Sequence, residues 1–292
     1  MLAIIGTTAS GKSALAFSLA YKYKLDIFSI DSLSVYKYID IASAKPSKVE
    51  LSQVRHYGID MLNPDEKCNA KIFFDLLDSL SKKRLIIVGG TSFYLKSMID
   101  GLSKIPQQNK EISKYIESLN KIESYELLTK IDKKYALKIH KNDRYRIAKA
   151  LEIYMLTGKS PSVFFSENKK EKLDIKIKIF ELIKPKEILL KDIESRTKSM
   201  YQNGLIDEVQ NLISSYPNSQ TLKAIGIKEI IAFLDSKITK EQSKELIIKN
   251  TMQLARRQRT FNRTQFGDVF RGELLEVKNA IEESLDKDIY PN

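Results

Sequence analysis

Short apolar runs alternate with helically spaced apolar positions over the first hundred residues of this chain. The run at residues 2–5 ends at Gly6, and apolar side chains then recur every three to four positions across residues 12–23. This order predicts a strand, a glycine-containing loop and a helix. Two more segments, Asp-Ile-Phe-Ser-Ile at residues 26–30 and the apolar run at residues 85–88, have the length of strands. Strands that alternate with helices predict an α/β fold with a parallel sheet flanked by helices.

The pattern changes at residues 106–170, where apolar side chains recur only at helical spacing. This stretch is predicted to be a helical insertion domain, so residues 1–105 form the first part of the core and residues 171–292 return to it. Alternating isoleucine and lysine at residues 174–183 predict a strand that rejoins the sheet at an edge, and the rest of the chain has helical spacing.

Composition narrows the class of protein. The chain is 42% hydrophobic, and it contains no apolar run long enough to span a membrane and no basic start typical of a secretory signal. A single cysteine, Cys68, cannot form an internal disulfide, and two histidines cannot build a zinc cluster. A cytoplasmic location is therefore expected. The protein is also expected to be a monomer. The net charge of +12 favours a polyanionic partner, although a lysine-rich composition leaves nucleic-acid binding open.

The loop after the first predicted strand matches the phosphate-binding pattern G-x-x-x-x-G-K-[ST]. Its eight residues are Gly6-Thr7-Thr8-Ala9-Ser10-Gly11-Lys12-Ser13. Backbone N–H groups of such a loop face an anion, the lysine adds a positive charge, and the hydroxyl of Ser13 is predicted to hold Mg²⁺. The loop binds a diphosphate-like group without specifying ATP, so a kinase of a small metabolite remains an alternative.

Further candidate residues follow the second and third predicted strands. Asp31 lies at the carboxyl end of a parallel strand, where ligands bind in open α/β sheets, and it can act as a general base or cap a turn. The pair Gly89-Gly90 permits close approach of a ligand or forms a tight turn.

Taken in order, several blocks of this chain resemble the tRNA dimethylallyltransferases, also called tRNA isopentenyltransferases. The matching blocks are Gly6 to Ser13, Asp31-Ser32 with Tyr36, Ala44-Lys45-Pro46, Gly89-Gly90-Thr91 with Tyr94-Leu95-Lys96, His140 with Asn142-Asp143 and Arg146, Ala150-Leu151-Glu152, Arg196, Ala224-Ile225-Gly226, Arg257-Gln258 and Thr260. The chain departs from the family at Ala42-Ser43, where glycine and threonine are usual, and at Lys149, Lys223 and Lys228, where arginine is usual.

The resemblance implies a P-loop NTPase-like fold and transfer of a dimethylallyl group from its diphosphate to the N6 amine of adenosine 37, next to the anticodon of tRNA. It implies that the P-loop binds the diphosphate with Mg²⁺, that Asp31 is the general base and that Arg196 is a catalytic cation. Implied contacts with the anticodon stem-loop are Asp31, Ser32, Leu33, Ser34, Tyr145, Arg146, Lys149, Lys223 and Lys228.

The insertion is then expected to clamp the RNA, with Arg144, Arg146 and Lys149 on one helix face. Besides the kinase, two alternatives stay open at this point. One is the related adenylate isopentenyltransferase, which modifies AMP, and the other is an RNA-binding protein with an inactive P-loop.

Overall fold

The computed structural model describes residues 1–107, 109–168 and 170–289, and the chain divides into two compact units. The larger unit contains residues 1–99 and the chain from Leu173 onward, and the smaller unit is Asp100–Lys172. The insertion predicted at residues 106–170 lies inside the smaller unit.

The larger unit is built on a parallel sheet, as the α/β pattern predicts. The strands found in the described residues are β1 (Leu2–Gly6), β2 (Asp26–Ser29), β3 (His56–Tyr57), β4 (Leu85–Val88), β5 (Lys178–Leu182) and β6 (Phe270–Gly272). Their order across the sheet is β3-β2-β4-β1-β5-β6, and every pairing is parallel. The central strands β1 and β4 are buried along their whole length, as both-sided coverage by helices requires.

The prediction that the returning strand lies at an edge is wrong. Strand β5 pairs with β1 on one side and with β6 on the other, so β6 forms the edge. Strand β6 has only three residues, and a segment this short carries no alternating pattern from which it could be predicted.

Helices account for most of the remaining chain. The helices are α1 (Lys12–Tyr23), α2 (Lys48–Gln53), α3 (Ala70–Ser79), α4 (Ser92–Asp100), α5 (Lys110–Ser118), α6 (Lys121–Ile131), α7 (Lys133–Ala136), α8 (Arg144–Thr157), α9 (Pro161–Glu167), α10 (Lys186–Gln202), α11 (Leu205–Ser215), α12 (Ile227–Leu234), α13 (Lys240–Gln265) and α14 (Leu274–Ile289). None of them, within the described part of the chain, combines the length and apolar character that a membrane span requires.

Two clusters of apolar side chains lie near the P-loop. Helices α1 and α14 bury Leu19 and Ile281 in the same cluster as Ile4 of β1. Helices α10 and α13 form a separate cluster around Ile193, against which Ala9 of the P-loop packs. Residues of α10 and α13 therefore lie beside the phosphate-binding loop.

The smaller unit has its own apolar core. Helices α5, α6 and α8 bury Ile116, Leu128, Ile147 and Leu151 against one another. Asn120 caps α6 in a reciprocal capping box with Glu123, which explains why that helix begins where it does.

Candidate active site

The P-loop has the backbone conformation that an anion-binding loop needs. Gly6 has φ of 154°, and a Cβ there would lie 2.8 Å from the carbonyl oxygen of Leu182 on β5, so only glycine fits. Gly11 has φ of 93° and Ala9 has φ of 58°, both in the left-handed region. The loop closes on itself through a hydrogen bond from Ser10 N to the Thr7 carbonyl at 3.2 Å. The strand–loop–helix prediction is confirmed.

Lys12 at the start of α1 is a buried cation. Its side chain donates to the Thr7 carbonyl at 3.0 Å, and only 7% of the residue is exposed. Burial lowers the pKa of Lys12 to about 8, while the Asp31 carboxylate opposes this shift and the Arg196 guanidinium adds to it. A cation held in this way gains most from an anion that enters the loop.

Asp31, two residues past β2, uses its two carboxylate oxygens differently. Oδ1 accepts backbone N–H groups from Leu33 at 2.9 Å and Ser34 at 3.1 Å, which fixes the turn after the strand. No described residue donates a hydrogen bond to Oδ2, which lies 3.8 Å from where a Cβ on Gly90 would be. The turn-capping and proton-accepting functions considered for this residue are therefore compatible, one on each oxygen.

Arg196 reaches the P-loop from α10. Its guanidinium donates to Thr8 Oγ1 at 3.2 Å, and the side chain is mostly buried. Burial lowers the pKa of Arg196, and the Asp31 carboxylate opposes that shift. Thr8, Lys12, Asp31 and Arg196 therefore form one electrostatic cluster.

Gln258 on α13 links the P-loop to the glycine pair. Its side-chain nitrogen donates to the Gly90 carbonyl at 2.8 Å, and its side-chain oxygen accepts the N–H of Thr8 at 2.8 Å. The nitrogen and the oxygen of this amide are therefore both hydrogen-bonded within the site. No role was predicted for Gln258, whose only signal in the sequence is the matching Arg257-Gln258 block.

Two cavities meet at this cluster, and both are lined only by the larger unit. One has a volume of about 310 Å³ and the other of about 710 Å³. Both are lined by Thr8, Asp31, Ser43, Gly90 and Arg196.

The two cavities differ in chemical character. The smaller one is lined by P-loop residues, including Lys12 and Ser13, and suits an anion. The larger one has aromatic walls and three cations, one of which is the shared Arg196. Its other residues of these kinds are Tyr36, Phe93, Tyr94, Phe261, Lys223 and Arg257. Phe93 and Phe261 contact each other edge to face, with ring centroids 6.4 Å apart. A diphosphate at one end and a planar base at the other would place their reacting atoms near Asp31.

Of the remaining predicted contact residues of the larger unit, four line these cavities and one does not. Ser32, Leu33 and Lys223 line the larger cavity, whereas Ser34 is buried and lines the smaller one. Lys228 lines neither, and its ammonium lies 3.6 Å from Glu229.

In the smaller unit, the three predicted contact residues lie on α8. They differ in exposure and in their ion-pair partners. Tyr145 is 73% exposed, and Arg146 is exposed and bridges to Asp143 at 3.2 Å. Lys149 is paired with the buried Glu152 at 2.7 Å.

The prediction that Arg144 shares their helix face is wrong. Arg144 and Arg146 lie about 200° apart around a helix, because each residue turns it by about 100°. Arg144 instead donates to the carbonyls of Glu117 and Leu119, which ties α8 to the end of α5.

The hydroxyl of Ser13, next to Lys12, is an oxygen ligand of the kind that a hard cation prefers. The Ser13 residue is exposed and lines the smaller cavity, where diphosphate oxygens and water would complete an oxygen-only shell of the kind Mg²⁺ prefers. No cluster of three or more His, Cys, Asp or Glu side chains that could hold a metal occurs among the residues described.

Gly90→Ala is expected to lower kcat about tenfold with little change in Tm, because one misplaced group can cost this much. The new Cβ would lie 2.8 Å from the Gln258 side-chain nitrogen, the end of a flexible side chain. Gln258 can move away, but it then releases Thr8. Steady-state kinetics and a thermal melt measure the two effects. Gly267→Ala, where a Cβ meets nothing within 4 Å, is the control. A normal kcat in Gly90→Ala would show that the Gln258 link has no catalytic consequence.

Comparisons with known proteins identify the family of this chain. A family model described as IPP transferase matches residues 34–265, a range that begins after the P-loop and Asp31. The chain is 46% identical to a tRNA dimethylallyltransferase of Helicobacter pylori, over 96% of this chain and 92% of that protein. It is also 46% identical to a tRNA dimethylallyltransferase of Nautilia profundicola, over 96% and 98% of the two chains.

Solved structures give the same result. A tRNA isopentenylpyrophosphate transferase from Bacillus halodurans superposes with a TM-score of 0.69 at 30% identity, covering 98% of this chain and 96% of that one. A eukaryotic dimethylallyltransferase acting on tRNA superposes with a TM-score of 0.81 at 27% identity, covering 94% and 73%. The predicted resemblance and the predicted P-loop NTPase-like fold class are confirmed. This chain belongs to the IPP transferase family.

Proposed function

We propose that this protein transfers a dimethylallyl group from dimethylallyl diphosphate to the N6 amine of an adenosine in tRNA, releasing diphosphate. The observation that carries the proposal is the meeting of two cavities at Asp31, one lined by a P-loop and the other by aromatic rings and cations. The relatives named as tRNA dimethylallyltransferases support the same reaction.

The donor end stabilises the leaving group. As the bond between the allylic carbon and the diphosphate oxygen breaks, negative charge builds on that oxygen. Backbone N–H groups of residues 11–13 at the start of α1, the Lys12 ammonium and the Arg196 guanidinium stabilise this charge from fixed positions. Mg²⁺ held through Ser13 supplies further neutralisation of the diphosphate when it is bound.

Asp31 handles the proton at the acceptor end. The adenine N6 attacks the allylic carbon, and the amine must lose one proton when the new C–N bond has formed. Oδ2 of Asp31 accepts that proton, while Oδ1 stays hydrogen-bonded to the N–H groups of Leu33 and Ser34. The general base is thus held in place by its own turn.

The acceptor adenine must leave the base stack of its anticodon loop to enter the larger cavity, as in other base-modifying enzymes. Aromatic rings there offer surfaces for stacking, and Lys223 and Arg257 can neutralise phosphates near it. We assign the target as adenosine 37, and the helical smaller unit as the part that grips the anticodon stem.

Arg146→Ala is expected to weaken tRNA binding and to reduce the salt dependence of the dissociation constant by about one phosphate contact. Arg146 tests the clamp more cleanly than Lys149, because Lys149 is the partner of a buried carboxylate. Filter binding over a range of salt concentrations measures the slope, and Arg146→Lys, which keeps the charge, serves as control. An unchanged slope in Arg146→Ala would remove this residue from the RNA contact.

Binding of dimethylallyl diphosphate is expected to weaken as the pH rises above the pKa of Lys12, which burial lowers to about 8. Below that pH the free protein carries the charged ammonium, and above it the side chain is neutral. Since the diphosphate favours the charged form, binding at high pH takes up a proton, and the affinity falls by up to about tenfold per pH unit. Calorimetry in two buffers of different ionisation enthalpy measures this uptake.

The matched variants separate Lys12 from the ionisation of the ligand itself. Lys12→Ala should bind weakly at every pH and lose the part of the proton uptake that belongs to the lysine. Lys22→Ala, on the same helix but exposed and paired with Glu282, should behave as the wild type. Equal proton uptake by wild type and Lys12→Ala would contradict the assignment.

The reaction is tested by supplying radiolabelled dimethylallyl diphosphate with Mg²⁺ to unmodified tRNA and, separately, to AMP. Label in tRNA alone is the expected result. Label in AMP would identify a nucleotide-modifying enzyme, and consumption of ATP without prenyl transfer would identify a kinase.

A further inference from the structure

The carboxylate of Glu208 binds a loop that borders the active site. Glu208 itself lines neither of the two cavities. Glu208 lies on α11, and its side chain accepts three consecutive backbone N–H groups. One oxygen accepts from Asp40 at 2.7 Å and Ile41 at 2.7 Å, and the other accepts from Ala42 at 2.9 Å. Charged acceptors make such hydrogen bonds short and strong.

The bound loop, residues 40–46, borders both cavities but mainly the smaller one. Ala42 and Ser43 line the larger cavity, whereas Ser43, Ala44, Lys45 and Pro46 line the smaller cavity together with the P-loop. A displacement of this loop would therefore change chiefly the diphosphate end of the site.

A second anchor lies inside the same loop. The ammonium of Lys45 is almost fully buried and binds the Tyr36 carbonyl at 2.6 Å, Asp40 at 2.6 Å and Asp60 at 2.5 Å. Ala44 has φ of 51°, a left-handed conformation that a non-glycine residue keeps only when its surroundings impose it. Because Lys45 secures the base of the turn, loss of Glu208 should loosen residues 40–42 without unfolding the loop.

We infer that Glu208 is a positioning residue that holds the 40–46 loop against the diphosphate end of the site. This inference rests on the proposed function, in which the smaller cavity takes the donor. Glu208 touches neither substrate and acts through Ser43 and Ala44, whose places along the cavity wall depend on the three N–H groups it holds.

Three variants test the inference in the full-length protein. Glu208→Gln keeps the shape but replaces one acceptor oxygen with a donor, and Glu208→Ala removes both. Asp207→Asn is the matched control, because Asp207 is the preceding residue of the same helix and is exposed. Steady-state transfer to tRNA gives separate KM values for the two substrates, hydrogen exchange reports residues 40–42, and calorimetry reports binding of inorganic diphosphate with Mg²⁺.

Glu208→Gln should raise the KM for dimethylallyl diphosphate about tenfold and leave the KM for tRNA within about twofold. Amides 40–42 should exchange at least about tenfold faster, and inorganic diphosphate should bind about fivefold more weakly. Glu208→Ala should change the donor KM, the exchange of amides 40–42 and the diphosphate affinity in the same directions and by larger factors. Asp207→Asn should match the wild type in each measurement.

Unchanged exchange of amides 40–42 in both Glu208 variants would overturn the inference. Faster exchange of these amides with an unchanged donor KM and an unchanged diphosphate affinity would also overturn it. A rise confined to the KM for tRNA would also overturn it, because the loop would then serve the acceptor. Failure of the wild type to prenylate tRNA would contradict the proposed function instead, and the exchange and diphosphate measurements would still decide whether Glu208 positions the loop.

Discussion

Asp31→Ala is expected to lower kcat at least about 100-fold, the usual contribution of a general base, while the tRNA dissociation constant stays within about twofold. The amine of adenine is a weak nucleophile because its lone pair is delocalised into the ring, so transfer depends on removal of the proton. Oδ2 of Asp31 is the acceptor that the structure leaves without a hydrogen bond from any described residue, beside Gly90 and between the two cavities.

Two further variants separate the chemical function of Asp31 from its structural one. Asp31→Asn keeps an oxygen that can accept from Leu33 and Ser34 but cannot act as a base, so it should be as inactive as Asp31→Ala and melt like the wild type. Asp26→Asn, at the opposite end of β2, should retain full activity. Single-turnover kinetics measures the chemical step, and normal turnover in Asp31→Asn would remove Asp31 from that step.

Arg196→Ala is expected to lower kcat about 100-fold, the loss typical of one fixed donor that faces a developing charge. Arg196 already donates to Thr8 Oγ1 at 3.2 Å and lies in the electrostatic cluster of Lys12 and Asp31. Because the charge on the leaving oxygen develops in the transition state, the loss should appear in kcat more than in the KM for the donor.

Arg196→Lys should recover part of the activity, since it keeps a charge but not the planar guanidinium that can contact two oxygens. Lys198→Ala, two residues along the same helix and exposed, is the control and should be unaffected. A variant at Arg196 that raised only the KM for tRNA would show that this residue serves the acceptor and not the leaving group.

Much of the donor end could be predicted from sequence, because it is local. The P-loop pattern lies within eight residues, and its strand–loop–helix context follows from spacing alone. Strand β4 was predicted with its observed bounds, Leu85–Val88, because it is an uninterrupted apolar run in a sheet buried on both faces.

The remaining features depend on residues far apart in the chain. Gln258 is 250 residues from Thr8, and Glu208 is 166 to 168 residues from the loop that it binds. Each side chain lies on a helix where glutamine or glutamate is unremarkable, so nothing in the local pattern marks it. Strand β6 was not predicted, because its three residues form a strand only through their pairing with β5, which is distant in the chain.

Helix geometry decided one point that the charge pattern left unresolved. The cationic residues of α8 are equivalent in the sequence, but Arg144 ties the helix to the end of α5, Lys149 neutralises the buried Glu152, and Arg146 is exposed and pairs with Asp143 one turn earlier. Counting cations therefore overstates the number available to RNA, since Arg144 is bound to backbone carbonyls and Lys149 to a buried carboxylate of the smaller unit.

The most direct test of the central claim is mass spectrometry of nuclease fragments from unmodified tRNA treated with this protein, dimethylallyl diphosphate and Mg²⁺. The account predicts one dimethylallyl unit, on the N6 of the adenosine next to the anticodon, with one diphosphate released for each unit added. Unmodified fragments, or a prenyl group only on free AMP, would contradict it.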